Sequence, residues 1–322
     1  MLRNMDMAKG AKKIVEVCGG VKPGEKVLIV TDTGREFSIT EALAQAASAA
    51  GAETAVIITE PGKKPGEEPN PTVAAAMMGA DVIISPTTRT IYHSQATSNA
   101  LANGAKLLSL TEVTEKVLIS GGIDADFVAL QPRVRKLTEI FDKGSKVHIT
   151  AKGGTDLYLD ITGRPGCCCS GLCLDPGDKL GIPELEAFIA PIETYTHGKI
   201  VIDATIAGYG GVNEPVTITV EDGHAVAFEG GAEAKALENM VKAADSPAAY
   251  NIVEIGIGLN DCARVIGEII EDEGAYGTGH FAFGNDIHFG GISDAPIHLD
   301  MVYYGPTIEV DGEIVMRDGV LL

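Results

Sequence analysis

Tryptophan is absent from this 322-residue chain, and aromatic residues make up only 5% of it. The core must therefore be built largely from aliphatic side chains. Basic residues are also scarce: 25 Lys and Arg stand against 45 Asp and Glu, for a formal net charge of −20. Nucleic acids and anionic membranes are recognised through clustered Lys and Arg, so this balance excludes both as partners. It is compatible with metal cations or cationic substrates, although most of the charge reads as a solvated surface. No apolar run approaches the ~20 residues needed to cross a bilayer. The opening MLRNMDMAKGAKKIVEVCGG has no apolar signal-peptide region, so a cytoplasmic protein is expected.

Cysteines number six, and four of them (Cys167, Cys168, Cys169 and Cys173) fall in GCCCSGLC. That stretch lacks the paired CxxC spacing of a zinc ribbon. A cytoplasmic setting disfavours disulfides, so these residues read as small apolar or turn positions near an active site. Also missing is a GxGxxG after the first apolar run, where TDTGRE stands instead. Dinucleotide binding of the usual kind is not supported.

What is present points to an α/β chain. KVLIVTD (26–32), TAVIIT (54–59), DVIISP (81–86) and AKLLSL (105–110) are short buried-strand patterns separated by helical ones. Such alternation predicts a doubly wound parallel sheet over residues 1–145. IDADFVALQPRVRKLTEIFDKG then reads as a long helix with a break at Pro132. From 146 to 322 the pattern changes to hairpin-like strands, beginning with KVHITAKGGTDLYLDITGR. Two helices interrupt them, near EAKALENMVKAA and CARVIGEIIEDEG. This half is expected to be an α+β, antiparallel-rich, metal-binding catalytic domain.

The chemistry concentrates near the C-terminus. Three of the seven histidines (His280, His288 and His298) fall in HFAFGNDIHFGGISDAPIHLD, which ends in His298-x-Asp300. Alternate residues of a strand share a face, so His298 and Asp300 project together. His280, in the strand-like GHFAFG, can supply a third ligand, while His288 lies in a loop suited to proton transfer or substrate contact. Glu186, between two prolines in LGIPELEAFIAP, and Glu254, inside the apolar NIVEIGIG, add two carboxylates. A carboxylate buried at Glu254 needs a partner, either a metal cation or an ion pair with Arg264. A mixed Glu, His and Asp set suits zinc, manganese or cobalt, as one ion or two.

The order of these segments carries a resemblance. AKKIVEVCGGVKPGEKVLIVTD, GTDLYLDITGR, IPELEAFIAP, VEIGIGLN, GHFAFG and HLD resemble the superfamily that holds the aminopeptidase T/S type of leucyl aminopeptidases and the 2,5-dihydroxypyridine 5,6-dioxygenases. The resemblance implies Glu186, Glu254, His280, His298 and Asp300 as metal ligands, and a homodimer. It departs from the aminopeptidases where Ile287 and His288 stand in the region of their proposed catalytic tyrosine. It departs from the dioxygenases, which have a histidine in place of Glu254 and lack the glutamate at 186. The ligand set favours the hydrolytic branch. The expected function is therefore a metallo-hydrolase that cleaves an amide of a short peptide or small cyclic substrate by metal-activated water, with Glu254 as base and His288 as acid. The alternative is a ring-cleaving dioxygenase with a single Fe(II) held by His280, His298 and Asp300. A metal-stabilised binding protein without catalysis is the third reading.

Overall fold

The computed structural model describes residues 2–322, and the chain divides into two compact units. The first comprises Met1–Gln131 with Gly171–Glu184; the second comprises Pro132–Ser170 with Leu185–Leu322. The architecture is mixed α/β, with one parallel sheet and two antiparallel-rich sheets. Among the described residues, no helix is long and apolar enough to cross a membrane.

The first unit is a five-stranded sheet in the spatial order Glu53–Thr59, Lys26–Asp32, Val82–Ser85, Lys106–Ser109, Lys179–Gly181. All four pairings are parallel. The strands Val82–Ser85 and Lys106–Ser109 are buried at every position, as expected of central strands covered on both faces. Helices Phe37–Ala49, Pro71–Met77 and Gln95–Ala102 make the crossovers. Asn70 and Ser94 cap the last two, their side-chain oxygens accepting backbone N–H groups of the first turn. The fifth strand comes from the 171–184 segment, far along the chain from the other four.

The second unit holds the two remaining sheets. One has eight strands, running from His224–Glu229 at one edge to Val320–Leu321 at the other. The other has seven, in the order Gly210–Gly211, Thr205–Ile206, His298–Tyr304, Thr278–Gly284, Ile252–Gly258, Glu186–Ile189, Gly166–Cys169. Ile255, Phe281 and Met301 align across three strands of the seven-stranded sheet, and all are fully buried. Phe283, on that same apolar face, meets Phe228 of the eight-stranded sheet with ring centres 5.9 Å apart.

Two helical expectations need correcting. The Phe127–Lys143 helix runs through Pro132 without a break. The CARVIGEIIEDEG stretch is helical only at Ile269–Asp272. There, side chains take the donors that a helix would use. Asn260 Oδ1 accepts from the N–H groups of Cys262 and Ala263, and the Asp272 carboxylate accepts from Ile266 and Gly267.

Candidate metal centre

Strand register builds the site. In the seven-stranded sheet Gly258 pairs with Glu186, Gly256 with His280, Ala282 with Asp300 and Gly284 with His298. Glu254 lies two residues before Gly256 and shares its face. All five expected donors therefore project from one side of four adjacent strands, opposite the apolar side that carries Ile255, Phe281 and Met301.

The donor atoms converge. His280 Nε2 lies 3.4 Å from Glu186 Oε2 and 3.3 Å from Glu254 Oε1. His298 Nε2 lies 3.3 Å from both Glu254 Oε2 and Asp300 Oδ1. Two donors each ~2.1 Å from a shared ion, at a near-tetrahedral angle, are separated by about 3.4 Å, so these spacings suit a cation. The donors fall into two groups, Glu186 with Glu254 and His280, and Glu254 with His298 and Asp300, each with its ligand atoms within 4.8 Å of one another. Glu254 belongs to both. Among the described residues its partners are the two histidines, not Arg264.

Local geometry orients the two imidazoles. His298 Nδ1 donates to the Asn285 carbonyl at 2.8 Å, which turns Nε2 towards two carboxylates. A bare nitrogen lone pair facing two carboxylates is repulsive, so a proton or a metal ion must stand between them. His280 lies over Gly256, where a β-carbon would come within 1.9 Å of its Nε2.

The electrostatics agree. Desolvation by burial works against charge on His280, yet the negative charge of Glu186 and the hydrogen bond to Glu254 push its pKa above the ordinary value. His298 behaves likewise: burial opposes charge, but the Asp300 and Glu254 carboxylates raise it well above its ordinary value. Burial would raise the Glu254 carboxyl, but the hydrogen bonds from His280 and His298 pull it well down. The carboxylates thus favour positive charge at this place. The donor set fits a divalent ion, and iron, zinc, manganese and cobalt all accept such ligands.

His288 stands apart from both donor groups, exposed in the short turn Ile287–Phe289. The loop carrying it is pinned from below. Ser293 N–H donates to Asp286 Oδ1 at 2.7 Å, and Ile292 N–H to Glu193 Oε1 at 2.6 Å. Arg164 bridges Glu193 and the Gly290 carbonyl.

Three further residues border the donors: Cys167, which the sequence placed among the cysteines expected near an active site, and Phe188 and Phe289, which the sequence did not single out. Cys167 pairs with Phe188, which in turn pairs with Gly256. Burial first, then the charges of Glu254 and Glu186, push the Cys167 thiol up to about 12, so it is a neutral group at the edge of the site. Phe289 meets Phe188 with ring centres 5.3 Å apart and His298 at 5.8 Å, both edge to face. Phe188 was legible from the sequence, because it stands two residues after Glu186 on a strand. Phe289 was not, because its placement depends on a loop.

Comparison with known proteins shows which family the chain belongs to. A curated relative, 2,5-dihydroxypyridine 5,6-dioxygenase of Pseudomonas putida, is 25% identical over 256 residues, covering 76% of this chain and 71% of the relative. The solved structure of 2,5-dihydroxypyridine dioxygenase from the same organism superposes with a TM-score of 0.85 at 20% identity, covering 99% of this chain and 97% of that one. AmpT from Thermus thermophilus shares the fold, with a TM-score of 0.74, 16% identity and 99% coverage of both chains. The fold is thus shared with both solved structures.

The metallo-hydrolase expected from the ligand set is overturned by the family match. The physical reason is that carboxylates and imidazoles specify a divalent cation, and the same cation site can serve water activation or oxygen chemistry. The family model for 2,5-dihydroxypyridine 5,6-dioxygenase matches residues 6–322, and the chain belongs to that family.

Proposed function

We propose that this protein is an Fe(II)-dependent ring-cleaving dioxygenase acting on a dihydroxylated, pyridine-type ring. The observation that carries the reading is the family match over residues 6–322, joined to donors that converge on one sheet face. Fe(II) would be held by His298 and Asp300 together with Glu254, whose ligand atoms lie within 4.8 Å of one another, with His280 on the other oxygen of Glu254. When bound, Fe(II) supplies the redox centre that lets dioxygen react with an electron-rich ring.

The chain's own residues do the rest. Asn285 fixes the His298 tautomer through its carbonyl. Glu254 neutralises charge on both imidazoles and can take a proton from a ring hydroxyl as the substrate docks. His288, exposed on its turn, exchanges protons between the ring and solvent. Phe188 and Phe289 border the donors and keep bulk water from one side.

The division of five donors into two groups sharing Glu254 favours a second reading of the metal count, two ions bridged by that carboxylate. Elemental analysis of protein purified without chelator separates the two. One equivalent of iron supports the mononuclear site. Two equivalents support the bridged one, and metal-free protein that remains unable to bind Fe(II) removes both.

A further inference from the structure

We infer that Phe188 and Phe289 form an aromatic wall that selects a flat ring for this site. The identity of the ring rests on the dioxygenase reading; the wall itself rests on the arrangement of side chains. Two populations of aromatic residues occupy the seven-stranded sheet. Phe281, Phe283 and Tyr303 lie on its apolar side, at most 1% exposed, as ordinary core. Phe188 and Phe289 lie on the donor side, and both are only partly buried.

These partly buried rings pack on each other beside a charged cluster rather than in the apolar core. Their arrangement is specific. Across the sheet the row runs Cys167, Phe188, Gly256, His280, and His280 fills the space over Gly256. Phe188 is therefore the next side chain along the row from the His280 ring. Phe289 closes the corner, edge to face with Phe188 on one side and with His298 on the other. The result is a continuous band of ring faces and edges bordering the donors, with a neutral thiol at its end.

Aromatic pairs prefer edge-to-face or offset contact, and a planar ring can join such a band where a puckered saturated ring cannot. The loop holding Phe289 is fixed by Glu193, Asp286 and Arg164, so the wall is preformed rather than gathered on binding.

The test is anaerobic calorimetric binding of two probes to the Fe(II)-loaded protein: 2,5-dihydroxypyridine and a piperidine diol, its saturated counterpart. Wild type should prefer the flat ring by tenfold or more. F188A and F289A should each lower flat-ring affinity by about tenfold, one aromatic pair's worth, and leave the saturated probe within twofold. Bound iron, measured on the same samples, should be unchanged. F188L and F289L keep the apolar volume and should show the same loss of selectivity, which separates the wall from simple misfolding. No flat-ring preference in wild type, or a preference that survives in all four variants, overturns the inference. If selectivity depends on the wall but no flat ring consumes oxygen, the dioxygenase reading fails and the wall stands.

Discussion

The ring of His280 occupies the space that a side chain at position 256 would need: a β-carbon on Gly256 would lie 1.9 Å from Nε2 and 2.1 Å from Cε1. His280 is 1% exposed and has no room to swing aside. The glycine is thus part of the candidate metal centre although it donates nothing to it. G256A should lower Fe(II) affinity by about 10- to 100-fold, the usual cost of disturbing a ligand's support. Circular dichroism should show the fold retained, with overpacking costing about 1–3 kcal/mol. Wild-type affinity in G256A would remove His280 from the ligand set.

Glu254 belongs to both donor groups, whereas Glu186 belongs to one with His280. E254Q should therefore cost more metal affinity than E186Q, and calorimetric titration of each variant with Fe(II) gives the comparison directly. Equal losses would mean that Glu254 has no shared role.

Metal should also stabilise the fold. A ligand that binds only the native state at 100 times its dissociation constant adds about 2.7 kcal/mol, so chelation should lower the melting temperature and added Fe(II) restore it. A melting temperature indifferent to chelator would argue that the five side chains form a closed ion-pair cluster.

Asp286 is fully buried, and desolvation, opposed by the Ser293 N–H and reinforced by the nearby Glu193 charge, raises its pKa from 3.8 to about 6. A carboxyl raised in the folded state contributes most when protonated, below its unfolded value, and loses that contribution as pH rises through the folded value. The loss should fall between pH 4 and pH 6 or slightly above. D286N, which stays neutral, should gain stability relative to wild type as pH rises from 5 to 7.5, measured by denaturant unfolding. A stability difference that does not change over that range would contradict the raised pKa.

Arg164 and Glu193 are 12% and 10% exposed at their side chains and pair directly. Removing one member of a buried pair strands the other charge, at a cost of about 3–5 kcal/mol. E193A should therefore destabilise the second unit and free the 285–297 loop, seen as faster amide exchange at Ile292, whose N–H loses its acceptor. Unchanged exchange there would show that Asp286 alone holds the loop.

The convergence of the five side chains was legible in the sequence because they obey strand periodicity. His298 and Asp300 differ by two, and the apolar run around Glu254 marked a carboxylate in need of partners. The sequence revealed the first sheet because central parallel strands are continuous apolar runs. It hid what depends on distant pairing. The strand Lys179–Gly181 is three residues long and joins the parallel sheet only through register with Leu107 and Ser109. The GCCC strand likewise carries no strand signal of its own, yet its pairing with Glu186–Ile189 brings Cys167 to the donor face. The reaction was not legible either, because the same imidazoles and carboxylates serve hydrolysis and oxygenation alike.

The most direct test of the account follows dioxygen itself. Fe(II)-loaded protein is mixed with 2,5-dihydroxypyridine under labelled dioxygen, and oxygen uptake, ring absorbance and product mass are recorded together. The account predicts one dioxygen consumed per ring lost, with both labelled atoms in the ring-opened product. Ring loss without oxygen uptake, with the label arriving from water instead, would contradict it.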